Sequence, residues 1–185
     1  MAFINETHLL ANAYFDDCTY SIEVSSMAVA EYSGKCKASG SVHEGLRADL
    51  QYNRPVGLAI SSAAVLISLG DDLTIISIGR QSGYGSLLVE TPESVHFLHL
   101  SDVNNLLYMS LEHSIAVFPL DQTSANLTVI ARSQSPVVDV NIDFAMDFIL
   151  LDENTLLVTE MQKDEFGCLT CLSFARSSHK LTSSI

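Results

Sequence analysis

The stretch Ser39–Gly79, SGSVHEGLRADLQYNRPVGLAISSAAVLISLGDDLTIISIG, decides how the chain is read. Pro55 fixes its own φ and pushes Arg54 towards extended geometry. Val56–Ile60 then reads as a short strand, with Gly57 marking a bulge or a close backbone approach. Ser61, Ser62 and Ala63 form a polar turn before Val65–Ile67. Gly70-Asp71-Asp72 is a second turn, and Leu73–Ile78 is a β-branched strand. Gly79 to Gly85 interrupts the chain again before Leu87-Leu88-Val89. Short strands joined in sequence by tight turns describe an antiparallel meander, the unit of one β-propeller blade.

A blade cannot bury both of its faces alone, so copies are expected at a period of several tens of residues. Upstream, Phe15–Ile22 lies over Gly70–Ser77, which sets Asp17 on Asp72. Downstream, Leu106–Met109 followed by Ser114–Phe118 repeats the strand-turn-strand rhythm, with His113 in the equivalent place. Leu156–Thr159 and Cys168–Leu172 supply a looser fourth copy. The sequence therefore predicts an all-β chain of about four blade-like meanders, at residues 8–36, 55–89, 95–130 and 138–174. A propeller segment over 1–176 and a frayed tail at 177–185 follow. Four blades lie at the lower bound for closed rings, so the chain is expected to be part of a larger ring. Such an arc leaves open blade edges through which the chain can self-associate.

The run Ser39-Gly40, Glu44-Gly45, Ala48-Asp49-Leu50 and Asn53-Arg54-Pro55-Val56-Gly57-Leu58-Ala59 resembles the start of an NHL repeat, in which a Gly-rich loop leads into the first strand of a blade. His8–Tyr14, continuing to Ile22, resembles the latter half of such a repeat. The resemblance covers roughly the first half of the chain and implies a six-bladed propeller. It implies either a non-catalytic scaffold that binds other proteins or, alternatively, a piece of a propeller enzyme of the lactonase or metal-dependent lyase type. Leu66-Ile67-Ser68 departs from the family's acidic strand ending, and the family's Asn-His-Arg triplet is absent.

Composition narrows the function. Twenty-two acids against nine Lys and Arg give a net charge of −13. A nucleic-acid surface needs clustered cations, and so does an anionic membrane, so both partners are excluded. Apolar runs are short, the longest being Phe144–Leu151, far below the roughly 20 residues that cross a bilayer. No leader with a charged start and apolar middle is visible at Met1–Leu10.

No set of residues declares catalytic, cofactor or metal chemistry. Asp16-Asp17 and Asp71-Asp72 read as turn residues before they read as paired metal carboxylates. His96 and His99 point to opposite faces if they sit on a strand. Cys168-x-x-Cys171 falls in strand-like sequence rather than at the helix start that a redox pair needs. Neither a phosphate loop nor a nucleophile elbow is present. Leu58, Ile60, Leu98 and Ile142 are the expected inner-strand residues, and their apolar character favours the binding module over the enzyme. Phe144–Leu151 admits a helical reading, but Leu157–Thr159 mirrors the earlier meanders, so a strand is expected. Cys18, Cys36, Cys168 and Cys171 follow no known disulfide framework, so reduced thiols in an intracellular chain are the default. Asn5-Glu6-Thr7 and Asn126-Leu127-Thr128 are glycosylation sequons that acquire meaning only in a secreted chain.

Overall fold

The computed structural model describes residues 1–101, 103–121 and 126–132, and the backbone of three further strands at 145–152, 155–162 and 165–173. Every regular element described is a strand. They are β1 (Ala2–Phe3), β2 (His8–Ala13), β3 (Cys18–Glu23), β4 (Val29–Ser33), β5 (Gly45–Leu46), β6 (Pro55–Ile60), β7 (Ala64–Leu69), β8 (Thr74–Gly79) and β9 (Tyr84–Glu90). There follow β10 (Val95–Ser101), β11 (Leu106–Leu111), β12 (Ser114–Pro119), β13 (Thr128–Arg132), β14 (Ala145–Asp152), β15 (Thr155–Gln162) and β16 (Glu165–Ser173).

These strands make four antiparallel sheets, β1-β2-β3-β4, β5-β9-β8-β7-β6, β10-β11-β12-β13 and β14-β15-β16. Each is a meander, with successive strands paired. The exception is β5, which returns from the loop before β6 and pairs Gly45 with Gly85 and Leu46 with Tyr84 at the far edge of the second sheet. Phe144 and the Val138–Asp143 alternation lie outside the described residues, as do Ile142 and the tail. The strand reading holds for β14, which runs antiparallel to β15 with Phe148 opposite Val158.

The first three sheets stack face to face, and among the described residues two apolar cores mark the contacts. Leu10 of the first sheet meets Leu58, Val65, Ile67, Leu69, Ile76 and Ile78 of the second, with Leu50 and Tyr52 of the connecting loop closing this core. On the other side, Ala59, Leu66 and Ile75 of the second sheet meet Leu98, Leu107, Met109, Leu111, Ala116 and Phe118 of the third. Neighbouring residues in a strand point to opposite faces. A sheet covered on both faces must therefore be apolar at nearly every position, which is why Val65-Leu66-Ile67 and Ile75-Ile76 run unbroken.

The first sheet differs. Leu10 is fully buried against the second sheet, but Leu9 and Ile22, paired across β2 and β3 on the opposite face, are only half-buried. Among the described residues no sheet covers that face.

Gly57 is required by packing. A Cβ there would lie 2.6 Å from Ser68 Oγ and 3.0 Å from Leu98 Cγ. Its N–H donates to Ser68 Oγ at 2.7 Å, and that hydroxyl donates to the Val95 carbonyl at 3.2 Å. The expected close approach is thus the junction of the second and third sheets, and the β6–β7 register also shifts between Pro55 and Leu58.

Two expectations are corrected. Arg54 is not extended: its φ is +52°. Three contacts hold it there. Its N–H donates to Asp17 Oδ1 at 3.0 Å, its carbonyl accepts from Gly70 N at 3.0 Å, and its guanidinium reaches Asp71 at 3.3 Å. Cys18 and Cys36 are not free thiols but a disulfide, with Cα atoms 4.9 Å apart. The β3–β4 hairpin carries the chain out and back, and Gly34, at φ +79°, turns it beneath the Tyr52 ring so that Cys36 returns beside the start of β3. That return path is not written in the cysteine spacing.

Candidate functional site

In a four-strand meander the turns alternate between the two ends of the sheet. One end collects the turns joining second and third strands, 14–17, 70–73 and 112–113, together with the loops between sheets. The other end collects the remaining turns. Cross-contacts confirm that the sheets share this orientation. Arg54 before β6 meets Asp17, and Ser94 before β10 donates to the Gly70 carbonyl at 3.0 Å, both at the loop end. Arg80, in the β8–β9 turn, donates to Ile4 O at 2.7 Å and to Ser61 O at 3.1 Å at the opposite end.

The loop end carries the densest polar network among the described residues. Asp72, in the β7–β8 turn, is its centre. His43 Nε2 donates to Asp72 Oδ2 at 2.8 Å. The second carboxylate oxygen accepts from Asn53 Nδ2 at 2.7 Å and from Ser41 Oγ at 2.9 Å. Asn53 also donates to Ser41 Oγ at 3.1 Å and accepts from Ser39 Oγ. The Asp72 side chain is 11% exposed and that of His43 18%. The carboxylate therefore ties down a loop that has only a Val42–Gln51 bridge and the β5 pairing as regular structure of its own.

Equivalent ties recur. In the first sheet Asp17 accepts from Arg54 N, and Asp16 Oδ2 accepts from the Tyr20 hydroxyl at 3.1 Å. In the third, the N–H of His113 donates to Glu93 in the preceding loop at 2.8 Å. Asp17, Asp72 and His113 thus occupy matching turns, and all three join a turn to an intersheet loop. Asp16-Asp17 and Asp71-Asp72 are turn residues in the structure, and no group of three or more metal-ligating side chains forms among the described residues.

Around this inner network the charged groups face solvent. Arg54 and Asp71 are about half exposed, and the Arg54 guanidinium also lies over the Tyr14 ring, 5.5 Å from its centre. Glu44 is exposed, and Glu112 and His113 are half exposed on the next sheet.

Leu58 and Leu98 do not face an open axis. Both are buried in the cores between sheets. Cys168 and Cys171 fall on β16, opposite Glu160 and Leu157. His96 and His99 stand on β10, and burial holds the His96 imidazole below the ordinary histidine value while Glu112 opposes that shift. What sequence reasoning missed is the His43–Asp72–Asn53–Ser41 set. Its one local signal is a His and an Asn flanking the loop that leads into β6.

Comparison with solved structures places this arrangement. The chain superposes on Kuenenia stuttgartiensis hydrazine synthase with a TM-score of 0.62 at 9% identity, covering 90% of this chain and 43% of that one. It superposes on the β-propeller domain of Myceliophteria thermophila Cps50 (Swd1) with a TM-score of 0.52 at 13% identity, covering 83% and 48%. The fold is that of a β-propeller segment. A third structure, from Bacteroides uniformis and described as a 6-phosphogluconolactonase, matches with a TM-score of 0.52 at 13% identity, covering 91% and 54%. This segment spans about half the length of each of these three chains. No family model matches the sequence, and no curated protein matches it.

Proposed function

We propose that this propeller segment, of NHL-like type, is a non-catalytic scaffold that binds a protein partner through its loop end. The observation that carries this reading is the Asp72 network. It spends its polar groups on one another, which ties the loop to the β7–β8 turn, while Arg54, Asp71, Glu44 and Glu112 are left facing solvent. A rigid platform with exposed, chemically varied loops is how a propeller presents a binding surface. With 22 acids against 9 bases, the partner that fits is one with a basic surface, and its association is steered by charge and weakened by salt.

The test adds positive charge at each end separately. Glu44→Lys with Asp71→Lys weakens binding of the partner recovered by crosslinking, whereas Ser62→Lys with Gln81→Lys at the opposite end leaves it unchanged. Equal loss from both pairs sinks the reading.

The competing reading is a piece of a propeller enzyme, favoured by the likeness to the structure described as a lactonase. A divalent cation retained at one equivalent through dialysis, or turnover of a lactone, would decide for it. The same reading of the fold makes the face of the first sheet with Leu9 and Ile22, which no sheet covers among the described residues, the place where the ring continues or a second copy of the chain associates.

A further inference from the structure

The end of the sheets opposite the loop network carries a feature that the binding function does not use. Asn5 lies in the β1–β2 turn and Asn126 in the β12–β13 connection, and both are exposed. By the alternation of turns, both stand at the end marked by Arg80, Ile4 and Ser61. Each begins an Asn-x-Thr triplet.

At Asn5 the triplet is already folded into a compact turn. Asn5 Oδ1 accepts from Thr7 N at 2.9 Å, from His8 N at 2.7 Å and from Thr7 Oγ1 at 3.0 Å. All three bonds use the amide oxygen. The amide nitrogen, the atom that carries an N-linked sugar, is not needed to hold the turn. At Asn126 the neighbouring Leu127 packs against the core between the second and third sheets, which fixes the triplet at the surface with its asparagine outward.

A second, independent observation sets the compartment. Cys18 and Cys36 are joined in a disulfide, and such a structural bond persists in oxidising compartments, not in a reducing cytosol. Surface sequons in that setting are acceptors for N-glycosylation.

The geometry points to Asn5 as an N-glycosylation site, with Asn126 as a second site at the same end. In the transfer, Asn5 Nδ2 bonds to the anomeric carbon of a lipid-pyrophosphate-linked oligosaccharide. The bond from that carbon to the pyrophosphate oxygen breaks, the lipid pyrophosphate leaves with the electron pair, and one amide proton is lost to a base. The sugar then covers one end of the segment and leaves the Asp72 end open.

The deciding measurement is made on the protein recovered from its own cells. Intact mass is read before and after a peptide N-glycosidase, and peptides are mapped without reduction. The expected result is a loss of mass on enzyme treatment, conversion of Asn5 to aspartate, and a peptide pair linked through Cys18 and Cys36. In a secretory eukaryotic host, Thr7→Ala migrates faster by one glycan step on a gel, whereas Thr7→Ser, which keeps the triplet, does not. An unmodified Asn5 in the native protein overturns the proposal whatever Asn126 shows, as does recovery of Cys18 and Cys36 as free thiols.

Discussion

Asp72, in the turn between β7 and β8, holds His43 of the loop before β6 at 2.8 Å, although 29 residues separate them in the chain. Its other oxygen engages Asn53 and Ser41, so one carboxylate satisfies three donors from a single loop. Removing it strands those donors. Asp72→Ala is expected to lower the unfolding free energy by about 1–3 kcal/mol, the cost of leaving partly buried donors unmet. Urea denaturation measures the loss, and limited proteolysis localises it to residues 34–54. Asp72→Asn, which keeps an acceptor oxygen, costs less.

The Cys18–Cys36 disulfide closes a separation of 18 residues. Cross-linking a loop of this size restricts the unfolded chain and is worth about 3 kcal/mol. Cys18→Ser with Cys36→Ser, or reduction of the native protein, should lower the denaturation midpoint accordingly. An unchanged midpoint would mean that the loop held by Asp72 needs no covalent help.

Gly57→Ala places a methyl 2.6 Å from Ser68 Oγ and against Leu98. β6 is clamped between two sheets and has little room to retreat, so a loss of about 1–3 kcal/mol is expected from overpacking. Gly45→Ala provides the contrast for contact alone. A Cβ there meets nothing within 4 Å, and its cost comes from a φ of +138° instead.

Burial lowers the His96 pKa below the ordinary value of 6.5, while Glu112 pulls in the opposite sense. The folded chain then binds this proton less readily than the unfolded chain. Stability is complete above the unfolded value and falls as the pH drops through it towards the lower folded value. Urea midpoints at pH 7 and pH 5.5 should differ in that direction, and His96→Gln should reduce the difference.

The face of the first sheet that carries Leu9 and Ile22, which no sheet covers among the described residues, gives the last prediction. Light scattering should show a mass above that of the 20.1 kDa chain, rising with concentration. Leu9→Glu with Ile22→Glu should restore the monomer. A wild-type chain that is monomeric at every concentration removes self-association from the reading.

The sheets themselves were legible in the amino-acid order. Unbroken runs such as Val65-Leu66-Ile67 announce strands buried on both faces, and Gly70-Asp71-Asp72 announces the turn between them, because strand and turn preferences act over a few neighbouring residues. Gly57 also declared a close approach. Three features were decided only by the tertiary structure: the left-handed Arg54, the Cys18–Cys36 bond and the Asp72 network. Pro55 restricts Arg54 locally, but Asp17, Gly70 and Asp71 together hold it at a φ that local preference disfavours. The cysteine pair and the network depend on where a long loop re-enters the fold. That path is set by the burial of Leu50 and Tyr52 between sheets, a contact with residues far along the chain that no short window of sequence contains.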